Sequence, residues 1–128
     1  MCGIVGLHLR TPELYPRLGE LLTGMLCEMG DRGSDSAGVA VYGDPAWSPP
    51  GQGCVSVVDL GAADIAEVTA AVADALGSDV DGVTVQSSYL LSAGVDSEAL
   101  LAAVRTVYPQ ALVAGFGSDI AVLKGVGH

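Results

Sequence analysis

The sequence predicts an α+β fold built in two parts, and three observations carry that reading. Apolar residues recur at helical spacing in three stretches, near residues 18–29, 65–76 and 100–108. Short runs rich in Val, Ala, Leu and Tyr lie between them, with the composition of strands. A segment with three prolines and two glycines, DPAWSPPGQG from Asp44 to Gly53, suits neither helix nor strand and separates the two parts.

The elements follow in order. Residues 2–9, CGIVGLHL, read as a strand entering a core, with Gly3 and Gly6 allowing close backbone approach. Leu18, Leu21, Leu22, Met25, Leu26 and Met29 fall on one face of a helix expected to begin near Pro16 and stop around Gly30. A loop, DRGSDS, leads into a second strand, AGVAVYG. In the proline-rich linker, Trp47 is either an anchor that packs the loop down or a recognition aromatic, and the anchor is favoured because Trp is usually well buried.

Beyond the linker CVSVVDL is strand-like, and Ile65, Val68, Val72, Ala75 and Leu76 mark a helix ending at Gly77. GVTVQSSYLLSAG is one long strand or two joined near Ser87 and Ser88. Ser97 is a candidate cap for the next helix, whose inward face is Leu100, Leu101, Val104, Val107 and Tyr108 and which Pro109 stops. ALVAGFG and DIAVLKG complete the set as two strands joined near Gly117 and Ser118. This β-α-β-β-α-β order is that of a split βαβ, or ferredoxin-like, unit. The expected division is an N-terminal segment 1–43, a linker 44–53, a subdomain 54–124 and a tail 125–128.

The formal net charge is −10, with only Arg10, Arg17, Arg32, Arg105 and Lys124 positive. Such a chain repels nucleic-acid phosphates and anionic lipid, so neither nucleic acid nor membrane is an expected partner. No apolar run approaches the ~20 residues of a membrane-spanning helix, and the N-terminus lacks the basic leader of a signal peptide. The expected location is the cytoplasm. Cys2, Cys27 and Cys54 form no CxxC pair and have no His at zinc spacing, so no metal or other cofactor is expected. Cys27, among Leu26 and Met29, and Cys54, opening a strand, read as small buried hydrophobes.

Cys2 differs. If Met1 is removed, one residue carries both a thiol and an α-amine whose unperturbed pKa is about 8, so the amine can take the thiol proton and produce the nucleophilic thiolate. Arg32 has two readings, a fixed positive charge that orients its loop beside the cysteine or favours the thiolate, and a surface cation paired with Asp31 or Asp35. Gly33 and Gly38 allow tight backbone geometry, and Asp35 and Ser36 are expected to hydrogen-bond within the turn.

Two motifs sharpen this. Cys2-Gly3-Ile4-Val5-Gly6, followed after one helix by Arg32-Gly33-Ser34-Asp35-Ser36-Ala37-Gly38 and a strand, resembles the class II glutamine amidotransferases over residues 2–43. The resemblance implies the N-terminal part of an αββα N-terminal-nucleophile hydrolase fold, with the βαββαβ unit as an inserted subdomain. It implies Cys2 as nucleophile, Arg32 and Gly33 as substrate-binding residues, glutamine as substrate, and a synthase subunit receiving the ammonia. The long spacer is similar to that of amidotransferase subunits of glutamate-synthase-like and N-methylglutamate-synthase-like systems, whose synthase subunit contains flavin.

The family's further motifs, His-x-Arg-x-Ala-Thr, an Asn-Gly oxyanion pair and an Asp for the substrate amine, have no counterpart, and the chain contains no Asn. Loss of one oxyanion donor costs ~3 kcal/mol of transition-state stabilisation, so the chain is expected to be incomplete for catalysis alone. A non-catalytic interaction module, or a small-molecule sensor built on the βαββαβ unit, is the alternative.

Overall fold

In the computed structural model the described residues are 2–32 and 35–126, with the side chain of Val126 excepted. They form two compact units, one running up to Ala37 and including Val126, the other Gly38–Gly125.

In the first unit, residues 2–11 form no regular element. The strand expected at 2–9 is absent: this stretch pairs with no other strand, and its apolar Ile4 is 94% exposed. A 3-10 helix, Pro12–Arg17, leads into α1, Leu18–Cys27. Pro12 suits a helix start because its missing N–H would have had no partner there. The Arg17 guanidinium pairs with the Glu20 carboxylate, with Nε–Oε2 at 3.1 Å, on an exposed surface. The helix ends two residues earlier than the apolar spacing suggests, and a 3-10 turn, Gly30–Arg32, follows. Of the apolar stripe, Leu18, Leu21, Leu22, Met25 and Met29 are half-buried and Leu26 is exposed.

The second unit contains the core. Its strands are β1 (Ser36–Tyr42, the first two residues belonging to the first unit), β2 (Gly53–Val58), β3 (Val80–Val85), β4 (Ser88–Ala93), β5 (Leu112–Ser118) and β6 (Ile120–Val126). Its helices are α2 (Ile65–Leu76) and α3 (Ser97–Val107). From β2 to β5 the element order is β-α-β-β-α-β, and the sheet order is β3-β4-β2-β5 with every neighbouring pair antiparallel. Val68 and Val72 of α2 and Leu100 and Val104 of α3 are fully buried against Val55, Val57, Tyr89 and Leu91 of the sheet. Burying each such aliphatic side chain stabilises the fold by about 1.5–3 kcal/mol.

α2 ends at the expected glycine, whereas α3 is capped one residue early. Gly77 closes α2 in the left-handed conformation, φ 74°, where a β-carbon is unfavourable. The cap of α3 is Asp96, one residue before the expected Ser97: its extended backbone aims the carboxylate at the Ala99 N–H, 2.9 Å away. The run at 82–94 is two strands, joined by a turn at Gln86 and Ser87.

The helix-free face of the sheet is also covered. There β6, paired on one edge with β1, is held by serines of the sheet. Ser56 Oγ accepts from the Val122 N–H at 2.9 Å, and Ser88 Oγ accepts from the Lys124 N–H at 3.0 Å. Ser87 Oγ donates to the Lys124 carbonyl at 3.2 Å. These hydroxyls satisfy backbone groups of β6 that no neighbouring strand reaches. Gly115 makes room for the approach, since a β-carbon there would stand 2.6 Å from Val122 Cγ2.

Asp44 builds the turn that opens the linker: its carboxylate accepts from the Ala46 N–H at 2.8 Å, and its carbonyl accepts from the Ser48 N–H at 2.7 Å. Trp47 is half-buried beside the fully buried Ser48.

Candidate functional site

Cys2 is exposed, at the start of the irregular segment that precedes the first 3-10 helix. What organises its surroundings is the next residue. A β-carbon on Gly3 would overlap Met29 Cε, and it would stand 3.4 Å and 3.5 Å from Cβ and Cδ of Arg32. The backbone beside Cys2 therefore runs directly against the Met29 and Arg32 side chains, in a space that only glycine leaves open.

The turn that delivers Arg32 follows from local hydrogen bonds. The Met29 N–H donates to the Leu26 carbonyl at 3.0 Å, and the Arg32 N–H donates to the Met29 carbonyl at 2.9 Å. Two successive three-residue closures turn the chain away from the helix and bring the Arg32 side chain alongside Gly3. The guanidinium is a permanent cation whatever its surroundings, so this places a fixed positive charge on a side chain packed against the neighbour of the thiol.

The other residues singled out from the sequence distribute as follows. Gly33 lies outside the described residues. Asp35 is exposed just before β1, and Ser36 is the first residue of β1. Gly38 belongs to the second unit, where a β-carbon would meet the Leu123 carbonyl oxygen and Lys124 Cε at 3.5 and 3.7 Å, both ordinary contact distances. The tight geometry expected at Gly38 is therefore not imposed by these neighbours.

The remaining thiols contrast with one another. Cys27, expected to be buried, is exposed, because α1 turns that side away from its half-buried stripe. Cys54 is 2% exposed. Its thiol is pushed up from the usual range chiefly by burial, with the charge of Asp119 adding to the shift and backbone hydrogen bonds from Ile120 and Asp119 opposing it. A thiol in that setting is inert as a nucleophile. Among the described residues no three His, Cys, Asp or Glu side chains gather as metal ligands would, and no helix is long and apolar enough to cross a membrane.

A residue at this place that the sequence gives no functional sign of is Met29. It reads as one more member of an apolar helical stripe, yet it lies beyond the end of α1 and touches the residue after the candidate nucleophile. The signal available was positional: three residues before Arg32, just ahead of Gly30, a stripe member is past the point where a helix would hold it.

The chain is similar to a protein from Rhizobium meliloti (strain 1021) described as "Glutamine amidotransferase-like protein GlxB", with 37% identity over 136 aligned positions. The alignment takes in 99% of this chain and 42% of that protein, so the chain spans less than half the length of this relative. No family model matches the chain. No solved structure matches it either.

Proposed function

We propose that this chain carries the nucleophile of a class II glutamine amidotransferase, with Cys2 as the attacking residue and Arg32 and Gly33 in the loop that receives glutamine. The observation that carries the reading is the packing of Arg32 against Gly3, which joins the two sequence motifs in one place. The similarity to a glutamine amidotransferase-like protein supports it over the length of the chain. That protein is longer, and the activity of a whole enzyme is part of the proposal.

With Met1 removed, the neutral α-amine of Cys2 takes the thiol proton. The thiolate then attacks the side-chain carbonyl carbon of glutamine and forms a tetrahedral intermediate. Collapse breaks the C–N bond, and the proton held on the α-amine goes to the leaving nitrogen, releasing ammonia and leaving a γ-glutamyl thioester. Water attacks the thioester, the amine accepts its proton, and glutamate and the free thiol are regenerated. Ammonia would pass to a synthase partner. The groups for the oxyanion and the substrate carboxylate are not supplied by the motifs in this chain, and a further polypeptide region is assigned to them.

The accompanying fold proposal is the first part of an αββα N-terminal-nucleophile fold with an inserted βαββαβ subdomain. The pairing of β1 with β6 supports it, since the chain enters the βαββαβ unit after one and leaves it along the other.

The test is labelling by the chloroketone analogue of glutamine, followed by peptide mass spectrometry. Modification at Cys2 that glutamine prevents and Cys2→Ala abolishes is the expected result. Equal labelling of Cys2 and Cys27, with no protection by glutamine, would overturn the reading.

A further inference from the structure

Met29 makes two contacts that converge on the candidate nucleophile. Its carbonyl accepts from the Arg32 N–H at 2.9 Å, which closes the turn carrying the arginine. Its side-chain methyl fills the place where a β-carbon on residue 3 would be, against the backbone that follows Cys2. One residue thus touches both halves of the pair. Arg32 itself comes within van der Waals distance of the same β-carbon position, so Gly3, Met29 and Arg32 form a mutual packing.

We propose that Met29 is a positioning residue for Cys2, seating its thioether methyl on Gly3 and thereby setting the cysteine in register with Arg32. The proposal rests on the glutamine amidotransferase reading for its chemical consequence, while the contact itself stands independently of it.

The physical need for such a residue is clear in this chain. Residues 2–11 belong to no strand or helix, so no backbone ladder fixes where Cys2 sits. A reacting group misplaced by about 1 Å loses on the order of a hundredfold in rate. A side-chain seat is then what remains to define the position. Methionine suits this role, since its unbranched, rotatable side chain reaches past the end of α1 and conforms to a bare backbone surface. A β-branched residue there would carry its bulk next to its own backbone and could not extend as far. Leucine keeps most of the volume on a shorter side chain, and alanine removes the seat while leaving the carbonyl that holds Arg32.

The experiment uses the full chain in a Cys27→Ser background, where Cys2 is the exposed thiol and Cys54 is buried. Two rates are measured at Cys2 by mass spectrometry, one with iodoacetamide and one with the chloroketone analogue of glutamine. Their ratio reports how well the thiol is placed for glutamine, apart from its general exposure. Met29→Ala is expected to lower the ratio by about tenfold, and Met29→Leu to hold it within about threefold of the parent, as follows if the seat governs placement on the ångström scale. Gly3→Ala is expected to lower it as well. The double variant Gly3→Ala/Met29→Ala should lose less than the two single effects combined, because truncating Met29 opens the space the new methyl needs.

An unchanged ratio in Met29→Ala overturns the proposal, as does a Met29→Leu variant that falls as far as the alanine. Additive single effects in the double variant overturn the Gly3 contact. If the parent shows no preference for the chloroketone, the glutamine reading fails and iodoacetamide decides the positioning claim alone. In that case Met29→Ala and Gly3→Ala must each change the iodoacetamide rate, non-additively, or the claim fails too. Circular dichroism of each variant verifies that the second unit remains folded.

Discussion

The two units divide the proposed chemistry and the buried core between them. The second holds the buried core: Val68, Val72, Leu100 and Val104 are sealed between two helices and a four-stranded sheet. The first holds Cys2 and Arg32, and none of its described residues is buried. Its helix also carries an apolar stripe, yet that stripe ends in half-exposure. Periodicity states which face of a helix needs covering, while the covering surface itself comes from elsewhere in the fold. Here the motif proposed to carry the chemistry lies on the unit without buried residues among those described, as the proposed role of a binding and reacting segment would favour.

The most direct way to break this comparison is to truncate equivalent leucines. Leu100→Ala opens a cavity in the second unit and is expected to cost about 2–5 kcal/mol in denaturant unfolding. Leu22→Ala, on the half-buried stripe of α1, is expected to cost under about 1 kcal/mol, since the surroundings lose little packing and water replaces it. Comparable losses at the two sites would mean that α1 is covered in solution, and the contrast would fall.

A smaller effect sharpens the same point through hydrogen bonds. Ser56→Ala leaves the Val122 N–H facing an apolar surface without its acceptor, at a cost of about 1–3 kcal/mol. In the first unit the Thr23 hydroxyl donates to the Gly19 carbonyl at 2.7 Å on an exposed helix surface. Thr23→Ala is expected to stay within about 0.5 kcal/mol of the parent, because water takes over the carbonyl. Thermal unfolding of both variants measures the difference.

How much of this was legible in the sequence differs between the units for the same reason. In the second, spacing and turn residues agreed with tertiary structure over most of each helix: Gly77 ends α2, Pro109 follows α3, and Val68, Val72, Leu100, Leu101 and Val104 of the expected faces are buried, while Ala75 is exposed and Ala103 is buried instead. Only local competition moved the α3 cap from Ser97 to Asp96, where carboxylate and extended backbone coincide. The serine face under β6 was not legible, because an isolated Ser in a strand gives no sign of whether water or another backbone will meet its hydroxyl. In the first unit the run CGIVGLHL has strand composition, but β structure also requires a neighbour to pair with, and composition does not supply one. Cys2 and Arg32 were legible as motif residues. Their convergence through Gly3 and Met29 was not, since it depends on a turn beyond the helix end rather than on any repeat.

The thiols give the finest test, because they sample both units in one molecule. Brief iodoacetamide labelling of the native chain at mildly alkaline pH is expected to modify Cys2 and Cys27 and to leave Cys54 untouched until the chain is unfolded. Burial raises the Cys54 pKa in the folded state, so folding favours its protonated form. The sign follows by linkage. The contribution is fully present below the unfolded thiol value of about 8.5 and is lost as pH rises from there through the raised folded value. Wild type should therefore lose stability with rising alkaline pH more steeply than Cys54→Ala. Parallel slopes for wild type and Cys54→Ala would mean that the thiolate is accommodated where Cys54 lies, and that this end of β2 is less tightly closed than the rest of the core around it.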